Sequence, residues 1–302
     1  MVVHKNAQER FAMAKRCSGC VTLWLTSITG LSLPLLWMDM VNRGPGNLIK
    51  TVSATQTSRL DTCMIPSHSA LVTYTLPRLA TLYHTYLSSE QIPCKQGVRL
   101  GRTRSGGWDV CIDEEFRLAD PCVVYSFGVG KDFSFSEEMT RTFGCFVYAF
   151  DPGVKRTGRR QLQRLIFTPE GINNFTGYSR QRRTRMSTLK EIRRHFGHCD
   201  KTVDVITMDI APTELAVIPH ALQHGDLHSV KQFNLRLGNP AHVLKETTEN
   251  YISRLNVLRD LCFVGFRSWI INENNKCLFH SDVLHKHVIG CHEVSFLNLR
   301  YI

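Results

Sequence analysis

From Cys122 to the C-terminus, short apolar runs alternate with segments of helical periodicity, and this alternation strongly constrains the fold. The predicted strands, each a short apolar or alternating run, cover 122–127, 145–152, 162–167, 203–210, 230–237, 262–272 and 291–299. The predicted helices, recognised by their apolar spacing and caps, cover 134–143, 187–196, 214–222 and 242–261. Strands that alternate with helices predict a doubly wound, Rossmann-like α/β sheet. Because no helix separates the last two strands, we expect them to form an antiparallel pair at the C-terminal edge.

Three features follow strands of the predicted sheet at their carboxyl ends, where open α/β sheets bind ligands. The first strand runs into SFGVGKD (126–132), whose glycines allow a sharp turn and the close approach of a ligand. Asp151 ends the second strand, where a carboxylate is suited to accept hydrogen bonds from a ribose diol. Asp209 ends the strand 203–210. A plain turn, a solvated acid before Pro152 and a helix N-cap near Thr213 are the ordinary explanations. The ordered spacing of all three features favours a ligand site.

The N-terminal part contains an uncharged apolar run, residues 17–38, which is long enough to cross a bilayer as a helix. The residues before it are mostly basic and Asp39 follows it, so the positive-inside rule predicts a type II signal anchor. Residues 1–16 would then form a cytosolic tail, and the rest of the chain would lie in the lumen of the Golgi or endoplasmic reticulum. A cleaved signal peptide, giving a secreted protein, and a buried helix of a soluble protein remain alternatives.

Residues 39–93 are rich in Ser and Thr and are predicted to form a stem or lead-in to a folded domain over 94–302. The cysteines outside the apolar run form no Cys-x-x-Cys pattern, so the sequence predicts no metal site. They fit either disulfides in an oxidising compartment or ordinary buried thiols. In the lumen, Asn174-Phe175-Thr176 would be a glycosylation sequon.

The formal net charge of +11 is concentrated in residues 155–194, which hold twelve basic side chains against Glu170 and Glu191. This basic segment is either a solvated loop or a surface for an acidic partner, such as a sulfated glycan, a lipid headgroup or an acidic protein. Nucleic acid is a poor candidate, because stacking aromatics are sparse in the segment and a luminal location would separate it from nucleic acid. The remaining composition is that of a folded protein and excludes a disordered or multi-span chain.

Four segments resemble the methyltransferase-like 24 group of S-adenosylmethionine-dependent methyltransferases: GGWDVC (106–111), CVVYSFGVGKDFSF (122–135), CFVYAFDP (145–152) and VDVITMDI (203–210). The resemblance extends from about Cys94 to the C-terminus. It implies a seven-strand methyltransferase sheet with an antiparallel last strand and S-adenosylmethionine as cofactor. Many members also carry an N-terminal anchor. The matched cofactor-binding positions are Ser126, Gly128, Gly130, Asp132, Asp151 and Asp209. In this family pattern Asp151 binds the ribose hydroxyls and Asp209 lies by the sulfonium.

The chain departs from the family pattern on the substrate side of the predicted site. The family usually has Lys-Met-Asp-Ile-Glu-Gly around the aspartate that matches Asp209. This chain has Thr207 in place of the lysine and Ala211 in place of the glutamate. The next strand usually ends near Glu-Ile-His, where this chain has Arg236-Leu237-Gly238. Glu214 still matches a later acid. Cofactor binding is therefore better supported than turnover.

Two functions of different classes follow from this pattern. The first is a membrane-anchored, luminal methyltransferase of unknown acceptor, with Asp209 and Glu214 as candidate bases and His198 and His242 as further guesses. The second is a non-catalytic binding module that keeps the methyltransferase fold. A type II glycosyltransferase would also fit an anchor and a stem, but the domain has no Asp-x-Asp motif. Methyl transfer from labelled cofactor would separate the first two.

Overall fold

The computed structural model describes residues 63–103, 106–154, 163–180, 183–238 and 244–302. The predicted tail and anchor, and residues 39–62 of the predicted lead-in, lie outside these residues. Among the described residues, no helix has the length and apolar character needed to cross a bilayer. The described residues all fall within one structural unit, Leu60–Ile302.

The described chain contains short helices and many short strands. The helices are α1 (His68–Leu71), α2 (Leu76–Tyr86), α3 (Ser134–Phe143), α4 (Leu189–His195), α5 (Glu214–Gln223) and α6 (Thr248–Val264). The first strands are β1 (Gly97–Leu100), β2 (Trp108–Cys111), β3 (Val123–Phe127), β4 (Phe146–Phe150), β5 (Leu165–Thr168), β6 (Gly171–Ile172), β7 (Gly177–Ser179) and β8 (Thr184–Ser187). The later strands are β9 (Val203–Met208), β10 (Val230–Leu237), β11 (Phe266–Glu273), β12 (Leu278–Ser281), β13 (Lys286–Ile289) and β14 (His292–Asn298).

Seven strands form the central sheet in the order β11-β14-β10-β9-β3-β4-β5. The pairs β3–β4, β4–β5, β3–β9 and β9–β10 are parallel, and β14 runs antiparallel to both β10 and β11. The predicted doubly wound sheet and its antiparallel last strand are confirmed. Because the chain builds β3 to β5 in one direction and returns to β9 on the other side of β3, the sheet has its switch point between β3 and β9.

The central strands form because most of their residues are apolar on both faces. Every residue of β9 is buried, and β3 and β4 are buried after their first residue. Strands of a parallel sheet that is covered by helices on both faces are continuous apolar runs, as here. The core therefore lies along the middle of the sheet, and the strand ends are free to carry polar residues.

Part of the predicted lead-in contributes to this core. Helix α2 begins after Thr75 with Pro77 in its first turn, where proline is tolerated. Its buried side chains Leu79, Tyr83 and Tyr86 belong to the same hydrophobic cluster as the central strands. The residues of the lead-in that the structure describes thus pack with the domain that follows them.

The described part of the chain contains four disulfides. Eight of the cysteines are therefore disulfide-bonded and are not free buried thiols. The pairs are Cys63–Cys262, Cys94–Cys111, Cys122–Cys145 and Cys277–Cys291. Their Cα–Cα distances of 4.6 to 6.0 Å lie in the usual range for disulfides. The Cys122–Cys145 pair joins the starts of β3 and β4, at the sheet edge opposite the strand ends considered below.

The basic segment is divided by the structure into parts with different environments. Its residues 155–162 and 181–182 lie outside the described residues. Arg193 is buried and donates hydrogen bonds to the carbonyls of His198 and Lys201 and to the hydroxyl of Ser229. Arg193 therefore stabilises the end of α4 and belongs to no basic surface. Three exposed arginines of the segment, Arg180, Arg183 and Arg185, lie on the hairpin of β7 and β8, which belongs to a separate three-stranded sheet, β6-β8-β7, whereas the exposed Arg164 and Arg194 lie elsewhere.

Candidate cofactor site at the carboxyl ends of the strands

The three sequence features at the strand ends meet at the switch point of the sheet. The amide of Gly128 donates to the carbonyl of Phe150 over 2.9 Å, and the amide of Asp209 donates to the carbonyl of Phe127 over 3.0 Å. These hydrogen bonds continue the parallel pairing one step beyond β3 and β9. The turn after β3, Asp151 and Asp209 are consequently held next to one another.

Glycine is required at position 128 for two reasons. The backbone there has a φ of +76°, which favours glycine, and an added Cβ would overlap the carbonyl oxygen of Asp209. Gly130 also has a positive φ, of +56°, but no described atom lies within 4 Å of the Cβ position. Gly128 thus lets the turn lie against the end of β9, and Gly130 leaves the space above the turn open.

Asp151 ties the ends of β3 and β4 together. One of its carboxylate oxygens accepts a hydrogen bond from the amide of Gly130 over 2.8 Å, and the other accepts from the amide of Gly153 over 2.7 Å. A carboxylate has about four acceptor positions, so these two bonds leave capacity for further donors. Asp151 is fixed in position and can still accept hydrogen bonds from a diol.

Two cavities open on either side of the Gly128 turn. The first has a volume of about 420 Å³, and its walls include Asp151, Gly153 and, from the small sheet, Ile172 and Met186. The second has a volume of about 330 Å³, and its walls include the segment 126–132 and Trp108. Phe127, Gly128 and Asp209 line both cavities. The two cavities therefore adjoin at these three residues, of which Asp209 alone has an ionisable side chain.

Ser126 and Asp132 both line the second cavity. Ser126 is buried and its hydroxyl forms a 2.8 Å hydrogen bond with the hydroxyl of Thr207, which links β3 to β9. Asp132 accepts from the amide of Ser134 through Oδ1 over 3.0 Å. Its Oδ2 atom is buried without a hydrogen-bond partner among the described residues, and the Nε atom of Arg102 lies 3.6 Å away. Because its side chain is a carboxylate, Asp132 is better suited than Ser126 to hold a cationic group.

An ion-pair network lies behind Asp209. Arg236 pairs with Asp209 through Nη1 and with Glu293 through Nη2, the latter over 2.6 Å. Arg99 pairs through Nη1 with both Glu293 and Asp109, each over 2.5 Å. Burial raises the pKa of the Asp209 carboxyl, and the positive charge of Arg236 opposes part of this rise. Asp209 is therefore the end of an alternating chain of charges and not an isolated acid.

The structure does not bring the other candidate bases to the cavities. Glu214 is fully buried at the start of α5 and lines neither cavity, and burial raises the pKa of its carboxyl. His198 is buried with its Nδ1 atom 2.7 Å from the hydroxyl of Tyr125, and burial lowers its pKa to about 4. His242 lies outside the described residues. Of the named candidate bases that the structure describes, Asp209 lines the cavities.

Several cavity residues were not identified from the sequence. Ile172 and Met186 come from β6 and β8, which are only two and four residues long and give no recognisable pattern. Arg236 was noted as a departure from the family pattern, but its pairing with Asp209 was not foreseen. The alternation of residues along β10 places Arg236 on the same face as Gln232 and Asn234, but it does not identify Asp209 as its partner.

The described residues contain a single cluster of three possible metal ligands, Cys94, Cys111 and Asp113. The two cysteines form a disulfide, so their sulfur atoms are not available as thiolate ligands. This cluster does not line either cavity.

The chain is similar to known methyltransferases. The model of the family described as "Methyltransferase domain" matches residues 76–250. The probable methyltransferase-like protein 24 of Rattus norvegicus is 25% identical over 242 residues, which are 74% of this chain and 66% of that protein. The human protein of the same name is 24% identical over 209 residues, 64% of this chain and 56% of that protein. The chain thus matches somewhat less than two thirds of the length of these relatives.

Among solved structures, the methyltransferase FkbM from Methylobacillus flagellatus is similar with a TM-score of 0.37 and 15% identity, over 82% of this chain and 59% of that chain. The family model covers more than half of the chain, and its matched region includes both the Gly128 turn and Asp209. The chain therefore belongs to the methyltransferase domain family.

Proposed function

We propose that this protein is an S-adenosylmethionine-dependent methyltransferase whose cofactor occupies the two cavities at the Gly128 turn. The observation that carries the proposal is that the two cavities adjoin at residues that include Asp209, with Asp151 on one side and Asp132 on the other. S-adenosylmethionine has two polar parts, an adenosine and an amino acid, that are joined at one sulfur atom. Two cavities that share one wall match that shape.

The residues of the cavities fit the two parts of the cofactor. Asp151 would accept hydrogen bonds from the ribose hydroxyls in the first cavity, since both of its oxygens are held by backbone amides. Asp132 would receive the ammonium group in the second cavity, because it is a carboxylate on the wall of that cavity. Gly128 leaves room for the cofactor beside the turn. When bound, S-adenosylmethionine supplies an electrophilic methyl group for transfer to a nucleophile.

Asp209 is the residue we propose to face the reacting end of the cofactor. Methyl transfer depends mainly on the alignment of the nucleophile with the methyl group and on the exclusion of water. A base is needed only for an acceptor that is protonated at the working pH. Asp209 lines both cavities, and burial raises the pKa of its carboxyl although the ion pair with Arg236 opposes part of this rise. We propose no base role for Glu214, because it lines neither cavity.

A matched pair of aspartates tests the cofactor proposal. Asp151→Ala removes the ribose acceptor, and we expect binding of S-adenosylmethionine to weaken by about tenfold or more, since charge-assisted hydrogen bonds are strong. Asp113→Ala is the control, because Asp113 also accepts from two backbone amides, at 2.9 and 2.8 Å, but lies outside the cavities. Isothermal titration calorimetry gives both dissociation constants. Equal affinities for the two variants would contradict the proposal.

The second candidate function is a non-catalytic module that binds the cofactor. It is favoured by one observation: the acid at the junction of the cavities is already paired with Arg236. Incubation with labelled S-adenosylmethionine and with proteins, glycans and small acceptors separates the two functions. Binding without transfer to any acceptor would favour the module, and labelled product would favour the enzyme.

We also propose that the domain lies on the luminal side of a membrane, held by an anchor at 17–38, with secretion after cleavage as the alternative. Four disulfides in the described part of the chain support an oxidising compartment. An exposed Asn174 in the sequon is consistent with it. We further propose that the exposed arginines of the basic segment bind an acidic partner, and that nucleic acid is not that partner.

A further inference from the structure

We propose that a third cavity, between α2 and the hairpin of β12 and β13, binds the sulfate or phosphate group of a ligand together with protons that its histidines take up. This cavity has a volume of about 430 Å³. None of the described residues that line it also lines either cavity at the Gly128 turn. The third cavity is therefore separate from the proposed cofactor site, and binding there does not depend on methyl transfer.

Polar and ionisable side chains from four elements line the third cavity. They are Thr81 and His84 of α2, Glu273 of β11, Lys286 and His287 of β13, and His292 of β14. The two α2 residues lie on one face of the helix, because they are three positions apart. Histidine, which changes charge near neutral pH, is absent from the described walls of the other two cavities. The third cavity thus has its own chemical character.

His292 is buried beside the third cavity and has unused hydrogen-bonding capacity. It is only 3% exposed and lies on the same face of β14 as Val294 and Phe296, which belong to the hydrophobic cluster that includes α2. Its ring forms no hydrogen bond with a described residue. Buried polar side chains normally have hydrogen-bond partners. A buried imidazole that has none and that lines a cavity indicates a place for a polar ligand.

The contacts of His84 determine how it can bind an anion. The hydroxyl of Tyr251 donates to Glu246 over 3.0 Å, and the Nε2 atom of His84 lies 3.4 Å from the same hydroxyl oxygen. Because the hydroxyl proton is used by Glu246, Nε2 carries the proton of the neutral imidazole and Nδ1 has a lone pair. A sulfate oxygen only accepts hydrogen bonds. Binding of an anion through Nδ1 therefore requires that His84 takes up a proton.

The empty third cavity keeps its buried histidines neutral. Burial lowers the pKa of His84 and of His292 to about 4. The charge of Glu246 partly opposes this for His84, whereas Lys286 lowers the pKa of His84 further. His84 and Arg254 lower the pKa of His292 further. Both rings are consequently uncharged near pH 7.

The other charges of the third cavity balance, so protonated histidines decide its sign. Among the described residues of the wall, Glu273 is the one carboxylate and Lys286 the one ammonium group. Tyr83 and Tyr251 pack edge-on against His84, and burial raises the pKa of both, so they add no charge. An anion in the cavity favours the protonated histidines. By reciprocity, protonation increases the affinity for the anion.

A metal ion is the other common ligand of neighbouring histidines, and the third cavity suits it less well. In the described part of the chain, no third ligand atom lies close enough to His84 and His292 to complete a metal-binding cluster. Lys286 on the wall would also repel a cation. The cavity therefore favours an anion.

Calorimetric titration of the full chain with inorganic sulfate tests this site, because the charge of sulfate is the same near pH 5.5 and near pH 7.5. Uptake of one proton per anion changes the dissociation constant by up to about tenfold per pH unit. We expect sulfate to bind about tenfold or more tightly near pH 5.5 than near pH 7.5. Titrations in two buffers that differ in their enthalpy of ionisation give the number of protons taken up.

A second titration identifies the source of the anionic group. If a sulfated monosaccharide, such as sulfated N-acetylglucosamine, binds more tightly than inorganic sulfate, the ligand is a glycan. Equal affinities indicate a free anion. Both results support the site.

Histidine variants locate the protons. His84→Gln and His292→Gln keep a polar side chain that cannot take up a proton, so each should reduce the proton uptake and the pH dependence, and the double variant should abolish both. Lys286→Gln should weaken sulfate binding at both pH values and keep the pH dependence. His195→Gln is the matched control, because His195 is exposed at the end of α4 and does not line the cavity. It should behave as the wild type.

Three results would overturn the proposal. They are an affinity of the wild type that is equal at both pH values, a pH dependence that the double variant retains, and no sulfate binding by the folded wild type near pH 5.5. Thermal unfolding establishes that each variant is folded. His84 is less buried than His292, so His84→Gln keeps the test decisive even if His292→Gln does not fold.

Discussion

At the scale of single residues, buried histidines couple the stability of the protein to pH. His292 is only 3% exposed, and its Nδ1 atom has no hydrogen-bond partner among the described residues. Burial lowers the pKa of His292 from 6.5 to about 4. As the pH falls below about 6.5, His292 therefore becomes protonated in the unfolded chain while it stays neutral in the folded state. This contribution to stability is present above that pH and is lost as the pH decreases towards 4.

We expect His292→Gln to reduce the pH dependence of folding. For the wild type, the free energy of unfolding near pH 5 should be lower than near pH 7 by about 2 kcal/mol on account of His292 alone. His292→Gln should remove this part of the difference, even if it also lowers stability at both pH values. Urea denaturation near pH 7 and near pH 5 measures both. His195→Gln is the control, because His195 is exposed at the end of α4. A similar change in the pH dependence of both variants would contradict the assignment.

The residues of the site differ in how far the sequence could identify them. Gly128, Asp151 and Asp209 could be predicted to lie together, because each follows a strand of a parallel sheet and such strand ends share one edge. The ion pair between Arg236 and Asp209 could not, since it joins residues whose side chains meet only once β9 and β10 are in register. The buried state of Glu214 likewise depends on how α5 packs, which its sequence does not specify.

At the scale of elements, long strands were predictable and very short ones were not. The predicted strand over 230–237 matches β10, because its apolar and polar residues alternate from Gln232 to Leu237 with the period of two that is typical of a strand. Helix α6 begins at Thr248, later than predicted, because Thr247 caps it by accepting from the amide of Asn250 over 3.3 Å. Strands β6 and β7 are only two and three residues long, so no periodicity identifies them.

The hairpin of β7 and β8 allows a test of the acidic-partner proposal. Arg180, Arg183 and Arg185 are exposed on it, together with Tyr178, which is 66% exposed. Replacing the three arginines by serine should lower the salt concentration at which the protein elutes from heparin, because fewer cations then contact the sulfates. Elution on a salt gradient is the measurement.

The control for this prediction uses exposed arginines of other elements. The triple variant Arg78→Ser, Arg117→Ser and Arg141→Ser changes the net charge by the same amount. It should elute close to the wild type if the hairpin is the binding surface. Equal losses of retention in both triple variants would indicate a general effect of net charge and would contradict a local surface.

At the scale of the whole molecule, the disulfides and the sequon lead to a prediction about topology. Asn174 is exposed in the bend between β6 and β7, where a glycosylating enzyme could reach it. We expect the full chain expressed in animal cells to carry a glycan at Asn174. Treatment with an N-glycosidase should then increase its electrophoretic mobility. Asn174→Gln should abolish this shift.

The adjacent Asn173 provides a matched control, because it is not part of a sequon. Asn173→Gln should retain the shift, whereas Thr176→Ala, which destroys the sequon but keeps Asn174, should lose it. A wild-type chain whose mobility is unaffected by the glycosidase would contradict a luminal domain.

Strand β8 presents neighbouring residues to two different environments. Met186 is buried and lines the first cavity, whereas the side chain of Arg185 is 67% exposed on the outer face. Because successive residues of a strand point to opposite faces, the shape of the cavity and the charge of the outer surface are encoded at alternating positions. Substitutions at position 185 can therefore change the charge of the outer surface without changing the shape of the cavity, and substitutions at the neighbouring position 186 can change the cavity without changing that charge.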